Sequence, residues 1–166
     1  ARGFDKDTGM MNQLLRRANE HKGVSFVEIY TNCVIYNHKA FDDYTSKETR
    51  KEKTVMLTHG QPLVFGDEHD KGIRMDGYKP EVVSLTDGRY SLDDLLVHDE
   101  KDSTLAFILG HMDQNPSMPR PMGIFQSLDR PTYDQQSENQ IKEEIKQKGE
   151  GDVESLLLGD EFWTIR

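Results

Sequence analysis

The stretch VSFVEIYTNCVIYN, residues 24–37, decides how the rest of the chain is interpreted. Its first part, residues 24–29, is rich in β-branched and aromatic side chains, a composition typical of a buried strand. Polar residues 31–33 follow directly and include Cys33, the single cysteine of the chain. Ligands of open α/β sheets gather where loops leave the carboxyl ends of the strands. The sequence therefore predicts that any chemistry lies at residues 31–33.

A helix is predicted to lead into this strand. It begins near Asp7 or Thr8, either of which can cap the free amides of a first turn, and it ends near His21, before Gly23. A helix followed by a buried strand is half of a parallel crossover unit, so we expect the preceding strand to lie upstream of Ala1. The chain has no initiator methionine, and we expect it to be a piece of a longer protein. The apolar face of the helix is predicted to contain Met11, Leu14, Leu15 and Ala18.

The middle of the chain consists of short apolar runs separated by turn signals. Residues 54–85 hold several such runs, and Asp76-Gly77 is the strongest hairpin signal among them. Pro80 confines the strand after that turn to an edge or to a strand start. We therefore predict a small antiparallel β element in residues 54–85. Short helices at residues 91–96 and 103–112 and a brief strand at residues 122–125 are predicted to follow.

The last part of the chain is polar and helical. We predict a helix over residues 133–148 and a second, shorter helix over residues 152–158. Ile141 and Ile145 lie four apart, on one face of the first helix, which is too little for a core but enough to contact a neighbour. The chain then ends with the large apolar residues Phe162, Trp163 and Ile165. Residues 132–166 are therefore predicted to form an arm that contacts another subunit or another part of the full protein.

Composition excludes several classes of function. The net charge of -9 argues against a nucleic-acid partner, because phosphate binding needs a clustered basic face. One cysteine cannot form an intrachain disulfide, and the chain has no signal peptide or long apolar span, so we expect a soluble cytoplasmic protein that does not bind a membrane. None of the histidines shows metal-ligand spacing, and each is predicted to lie at the surface or at a cap. They are His21, His38, His59, His69, His98 and His111.

Several segments together carry a resemblance to a known family. The specific segment is residues 1–37, which contains HKGVSFVEIY followed by the pair Asn32-Cys33. Weaker matches are HGQPLVFG at 59–66, LLVHD at 95–99, LAFIL at 105–109 and PMGIF at 121–125, and the likeness ends near residues 160–164. The chain resembles the β subunit of the 2-oxoacid:ferredoxin oxidoreductases, most of all the 2-oxoglutarate type.

The resemblance implies an α/β fold and divides the chain into three parts. Residues 1–53 would be the C-terminal part of a thiamine-diphosphate-binding domain, a parallel sheet with helices. Residues 54–131 would be a small mixed α/β extension that contains the β-hairpin element, and residues 132–166 would be the helical C-terminal arm. The implied reaction is thiamine-dependent oxidative decarboxylation of a 2-oxoacid to the acyl-CoA, with electrons passed through an iron-sulfur cluster to ferredoxin.

The resemblance also implies cofactors and partners. The intact enzyme would contain thiamine diphosphate, magnesium and a four-iron four-sulfur cluster. Its partners would be an α subunit and ferredoxin, and its substrates would be coenzyme A and the 2-oxoacid. The family's earlier cluster cysteines and its Gly-Asp-Gly motif, which holds magnesium and the diphosphate, are absent from this chain. We therefore assign no catalytic residue here and expect the chain alone to lack a complete cofactor site and to be inactive.

Three residues are candidates for the cofactor site. From the residues alone, Cys33 is either a small buried hydrophobe or, because it lies just beyond a strand end and outside an amphipathic pattern, a functional residue. The resemblance places it at the position of a late ligand of the iron-sulfur cluster, and a thiolate is a soft ligand that suits iron. Asn32 and Asn37 either form turns or donate hydrogen bonds toward the cluster or cofactor. The alternative function is a non-catalytic assembly module whose hairpins and arm dock the other subunit.

Overall fold

The computed structural model of the chain describes residues 1–159 and Trp163, and it divides into two units, residues 1–129 and 130–166. The larger unit is mixed α/β and contains parallel strand pairs, so the predicted α/β class is confirmed at that level. Its strands are β1 (Arg2–Phe4), β2 (Glu28–Tyr30), β3 (Thr54–Leu57), β4 (Val64–Phe65), β5 (Lys71–Asp76), β6 (Lys79–Ser84) and β7 (Arg120–Gly123). Its α-helices are α1 (Thr8–Glu20), α2 (Asp42–Thr45), α3 (Arg50–Lys53) and α4 (Ser103–His111), with 3-10 turns at Leu92–Asp94 and Met112–Gln114.

The main sheet has four strands in the order β2-β1-β7-β3. β1 pairs in parallel with β2, and β3 pairs in parallel with β7. The two parallel pairs meet where β1 lies antiparallel to β7, and the single registered pair there is Arg2 with Gly123. The sheet thus extends across residue 53, where the sequence analysis placed a domain boundary.

The strand that precedes the first helix lies within the chain. β1 runs antiparallel to β7 and parallel to β2, and α1 connects β1 to β2. The expectation that this strand lies upstream of Ala1 was therefore wrong. A strand of three residues that includes a charged side chain has no readable periodicity. Arg2 is tolerated there because Glu28 and Asp113 pair with its guanidinium at 2.6 and 2.9 Å.

The first helix forms where the sequence predicts it. The Asp7 side chain accepts a hydrogen bond from the Met10 backbone N–H at 2.9 Å, which satisfies a free amide of the first turn. The helix ends at Glu20, and Gly23 follows with φ +113°. Its buried face contains Met10 and Leu14, whereas the predicted core residue Leu15 is exposed.

The predicted buried strand at residues 24–29 was wrong in extent and in burial. The strand is β2, and Val24 and Phe26 lie before it with 93% and 80% of their surface exposed. β2 is an edge strand, so one of its sides has no neighbouring strand in this sheet. Side-chain composition favours a strand without deciding whether it lies at the centre or at an edge of a sheet. Tyr30 is the residue of β2 that reaches the core.

The small antiparallel element is confirmed for β4, β5 and β6, which form a separate sheet in that order. Asp76 pairs with Lys79 across the predicted hairpin turn, where Gly77 has φ +60°. Pro80 lies in β6, which is an edge strand as predicted. β3 was predicted to belong to this element, but it pairs with β7 instead. β7 lies far along the chain, so no local signal in the sequence indicates this pairing.

The strand predicted at residues 122–125 is β7, which begins and ends two residues earlier, at Arg120 and Gly123, and contains Pro121. The buried apolar side chains of the larger unit form two clusters, and β7 contributes Met122 to one of them. One contains Phe4, Met10, Leu14, Tyr30 and Met122. The other contains Val55, Leu57, Leu63, Phe65, Ile73, Leu105, Leu109 and Met112. Each large side chain buried in this way contributes about 1.5–3 kcal/mol to stability.

His98 was predicted to lie at the surface or at a cap, and this was wrong. Its side chain is among the most buried in the chain, with 1% of its surface exposed. His98 Nε2 forms a 2.8 Å hydrogen bond with the Ile124 carbonyl oxygen, which compensates for the burial of one of the two ring nitrogens. A single polar side chain beside an apolar run gives no periodic signal of such burial.

The smaller unit contains α5 (Tyr133–Lys148) and α6 (Val153–Leu158), both where the sequence predicts helices. Thr132 and Gln135 form a capping box at the start of α5. Ile141 and Ile145 are 58% and 42% exposed within the described structure. The predicted arm continues to Phe162 and Ile165, which lie outside the described residues. Among the residues described, no helix is long and apolar enough to span a bilayer.

Candidate functional site

The carboxyl end of β2 is fixed by its aromatic residue. Tyr30 is buried, and its ring stacks on the ring of Phe41 with centroids 4.4 Å apart. One residue further, the Thr31 hydroxyl donates a 2.7 Å hydrogen bond to the Asp5 carboxylate. The end of β2 is therefore well packed, and residues 31–37 leave it at the rim of the sheet, as the sequence predicts for a loop that follows a strand.

The candidate site is the loop of residues 33–37, which we call the Cys33 loop. Two backbone hydrogen bonds close it, from Cys33 N to Asn37 O at 3.2 Å and from Asn37 N to Cys33 O at 3.0 Å. The side chains at its tip are apolar and exposed: Val34 by 82%, Ile35 by 79% and Tyr36 by 90%. The loop thus has a closed backbone and an uncovered apolar tip.

The Cys33 sulfur lies among backbone donors. The nearby backbone N–H groups of Tyr36, Ile35 and Asn37 lower the pKa of the Cys33 thiol below its ordinary value. The side chain is neither fully buried nor fully exposed. A partly accessible thiol with these donors favours the thiolate, the form that binds metals and attacks electrophiles.

The two asparagines have different surroundings. Asn32 Nδ2 donates to the Asp42 carboxylate at 2.7 Å, and Asn32 Oδ1 accepts from the Phe41 backbone N–H at 3.0 Å. Both contacts lead to the start of α2. Asn37 closes the Cys33 loop through its backbone. The hydrogen bonds of Asn32 and Asn37 therefore hold the Cys33 loop in its conformation.

The fit of a metal centre to this loop is partial. Within residues 1–159 and Trp163, no group of three or more His, Cys, Asp or Glu side chains is placed to hold a metal ion. Cys33 can supply one thiolate. A complete four-iron four-sulfur cluster, which takes four thiolates, needs ligands other than the described residues.

Sequence reasoning missed a network of charged and aromatic side chains beneath β2. Arg120 donates to the Tyr30 hydroxyl at 3.1 Å, and its guanidinium lies over the Tyr44 ring. Arg2 and Arg120 share the Asp113 carboxylate, at 2.9 and 3.6 Å. Burial raises the pKa of Tyr30 above its ordinary value. The partners lie far apart in sequence, so no local motif could have revealed the network.

A cleft of about 350 Å³ lies between α1 and the carboxyl ends of β3 and β7. Arg17 and Glu100 form an ion pair at 2.8 Å in its wall, and the hydrogen bond from Arg17 lowers the pKa of Glu100. Gly123 also lines the cleft, with φ +122°. Because Arg17 and Glu100 neutralise each other, neither side chain is free to bind a charged ligand in the cleft.

Comparison with known proteins gives one clear relative. The chain is 32% identical over 168 aligned residues to the 2-oxoglutarate oxidoreductase subunit KorB of Mycobacterium tuberculosis, strain H37Rv. The chain is similar to KorB along nearly its whole length. The alignment covers 99% of the chain and 44% of KorB, so the chain spans less than half of this relative. No protein-family model matches the chain, and no solved structure matches it.

The likeness to KorB confirms the resemblance drawn from the sequence motifs, at the level of a 2-oxoglutarate oxidoreductase subunit. It also covers the Cys33 loop, since nearly all of the chain is aligned. The relative's name states neither its cofactors nor its electron acceptor, which therefore remain proposals for this chain.

Proposed function

We propose that this chain is the C-terminal portion of the β subunit of a 2-oxoglutarate:ferredoxin oxidoreductase and that Cys33 is one ligand of its four-iron four-sulfur cluster. The single observation that supports the enzyme class most strongly is the alignment with KorB over 99% of the chain. The intact enzyme would convert 2-oxoglutarate and coenzyme A to the acyl-CoA and carbon dioxide, with ferredoxin as electron acceptor.

The structure of the Cys33 loop supports a ligand role. Iron prefers soft thiolate ligands, and the donors around Sγ already favour the thiolate form of Cys33. Hydrogen bonds to ligand sulfur also tune the reduction potential of such centres. The backbone N–H groups of Ile35 and Tyr36 would therefore serve two purposes, holding the negative charge of the ligand and setting the potential.

The exposed loop tip supports the same assignment. Val34, Ile35 and Tyr36 surround the thiol with apolar surface that the described residues leave uncovered. A hydrophobic shell controls solvent access and local dielectric at a metal site. In the intact subunit these three side chains would exclude water from the cluster once a covering segment brings the remaining cysteines.

The other cofactors and partners are proposed for the whole protein. Bound thiamine diphosphate, with magnesium, would supply the carbanion-stabilising chemistry of decarboxylation. The described residues would contribute the sheet and the cluster rim, while an α subunit completes the enzyme. The chain alone would neither bind thiamine diphosphate nor oxidise 2-oxoacids, and the enzyme would act in the cytoplasm.

The decisive experiment is the Cys33→Ala variant of the intact oxidoreductase. We expect the iron content to fall by the share of one cluster and ferredoxin reduction to be lost, while thiamine diphosphate binding remains. Val34→Ala is the comparison variant for iron content, because it removes part of the apolar shell from the same loop without removing a ligand and should therefore keep its full iron content. Full iron content together with an unchanged rate of ferredoxin reduction in Cys33→Ala would refute the ligand role.

The second candidate function, a non-catalytic assembly module, is favoured by the smaller unit. Leu156 and Leu157 of α6 are 82% and 81% exposed, and Trp163 is 81% exposed. Large apolar groups at these exposures are typical of surfaces that another chain covers. Truncation after Arg130 would weaken subunit association on size-exclusion chromatography, and unchanged assembly would count against this role.

A further inference from the structure

The Cys33 loop is attached to the rest of the larger unit through one side chain in particular. Asn32 immediately precedes the loop and uses both ends of its amide. Its Nδ2 donates to Asp42 Oδ1 at 2.7 Å, and its Oδ1 accepts the Phe41 N–H at 3.0 Å. A bond to a carboxylate is stronger than one between neutral groups. We call this pair of bonds the Asn32 latch.

The loop itself offers few alternatives to the latch. The side chains of residues 34–36 and 38–40 are exposed, so apolar packing does not fix the loop. Its two closing backbone hydrogen bonds join Cys33 to Asn37, which are both loop residues, and so they set its shape without setting its position. The Ala40 N–H to Asn37 carbonyl bond at 3.5 Å and the Asp42 N–H to Lys39 carbonyl bond at 3.2 Å form local turns between the loop and α2. Beyond the loop, Lys39 has φ +58°, a conformation costly for a residue with a side chain.

The Asn32 latch connects the Cys33 loop to a well-packed part of the larger unit. Phe41 stacks on the buried Tyr30, and Phe41 and Tyr44 pack against the core around Phe4 and Met122. Asp42 is the first residue of α2 and also lies 3.4 Å from Lys6 Nζ. Asn32 therefore joins the end of β2 to the beginning of α2, directly at the point where the Cys33 loop leaves the sheet.

We infer that Asn32 is a positioning residue, which holds the Cys33 loop against α2 and thereby sets the position of the Cys33 sulfur. This inference rests on the proposed function for the importance of that sulfur as an iron ligand. The latch itself is a property of the chain. Asn32 thus acts through Asp42 and Phe41, in place of the direct hydrogen bond to cluster or cofactor that the sequence leaves open.

The test exchanges donor and acceptor across the latch in the intact oxidoreductase. Asn32→Asp removes the donor and sets two carboxylates against each other, although it keeps an acceptor for the Phe41 N–H. Asp42→Asn keeps an acceptor oxygen for Asn32 and is expected to be mild. The double variant Asn32→Asp/Asp42→Asn restores one donor and one acceptor with their places exchanged. Thr31→Val is the matched control, because its bond to Asp5 does not reach α2.

Two readouts are needed, amide hydrogen exchange of residues 33–40 and the midpoint potential of the cluster. In Asn32→Asp we expect exchange to accelerate about tenfold, the size of one hydrogen bond to a charged group, and the potential to shift. The double variant should return both readouts to wild-type values, which simple destabilisation would not do. Thr31→Val should leave both unchanged.

The possible failures can be told apart. Unchanged exchange and potential in Asn32→Asp, or no recovery in the double variant, would overturn the positioning role of Asn32. Full iron content in Cys33→Ala would instead refute the ligand role of Cys33 and with it the proposed site. Hydrogen exchange can be measured whether or not Cys33 binds iron, so the comparison of Asn32→Asp with the double variant tests the latch in either case.

Discussion

Gly123 is the position at which one added methyl group should cost most. Its φ of +122° lies in a region that side-chain-bearing residues rarely adopt. A Cβ built there would lie 2.7 Å from the Leu57 carbonyl oxygen and 3.1 Å from Leu57 Cβ, and that oxygen belongs to the paired strand β3. The obstacle is backbone, which cannot rotate away as a flexible side chain can.

Two costs add in the Gly123→Ala variant. A residue held in a sparsely populated backbone conformation costs about 1–3 kcal/mol. Overpacking against a fixed neighbour costs about 1–3 kcal/mol more. We therefore expect the free energy of unfolding to fall by about 2–6 kcal/mol, a large share of the stability of a domain of this size.

The assay is urea unfolding followed by circular dichroism. Gly110→Ala is the matched control, since Gly110 lies in α4 and a Cβ there meets nothing within 4 Å. That variant should be stabilised by about 0.5–1 kcal/mol, because alanine favours a helix more than glycine does. A loss below about 0.5 kcal/mol in Gly123→Ala would show that β3 and β7 separate easily and that the strain argument is wrong.

Two further predictions use the pKa shifts. The pKa of Glu100 is lowered in the folded state by Arg17, so its contribution is present above the unfolded-state pKa and is lost as the pH falls through the folded-state pKa. Glu100→Gln should therefore cost about 0.5–1 kcal/mol near pH 7, a modest value because Arg17 is half exposed, and progressively less as the pH is lowered from about 4 to about 2, as measured by thermal unfolding. An equal loss at about pH 7 and at about pH 2 would exclude the ion pair as its cause. The pKa of the Cys33 thiol is also lowered, so iodoacetamide should modify the metal-free chain with a pH midpoint below the value of about 8.5 for free cysteine. Unfolding in urea should restore the ordinary midpoint, and identical midpoints in both states would refute the role of the backbone donors.

Helices α1, α4, α5 and α6 could be predicted from the sequence because their signals are local, whereas the one-turn helices α2 and α3 were not predicted. Asp7, Asp102, Thr132 and Asp152 each cap the helix that follows, and each side chain accepts from an amide within three residues. The hairpin at Gly77 could be predicted for the same reason, since the turn and both strands are contiguous. Their boundaries agree with the structure to within a residue or two.

The sheet could not be predicted to the same extent because its pairings are distant in sequence. β3 and β7 are separated by more than sixty residues, and nothing in residues 54–57 indicates that their partner contains Pro121. β1 is too short to show a pattern. Burial of residues 24–26 was wrong because composition does not reveal which strand lies at an edge.

The candidate site was located from the sequence, but its surroundings were not. The expectation that polar residues 31–33 follow closely after a strand agrees with the structure, in which β2 ends at Tyr30, whereas the tip of the Cys33 loop is apolar. The donors around the sulfur depend on the backbone path of residues 35–37, which no side-chain pattern specifies. Asn32 was a candidate site residue because of its position next to Cys33. Its hydrogen-bond partners, Asp42 and Phe41, could be identified only from the structure.

The main sheet is joined at its centre by very little backbone pairing. β1 and β7 share one registered pair, Arg2 with Gly123, whereas each parallel pair is registered along its length. The side chains of Arg2, Asp113 and Arg120 bridge the same junction. Cohesion between the two halves of the sheet consequently comes from these ion pairs and from the apolar cluster that contains Phe4 and Met122, more than from a hydrogen-bonded ladder. Because these ion pairs are partly buried, salt screens them little, and the join between the two halves of the sheet depends on three side chains, of which Arg2 is distant in sequence from the other two.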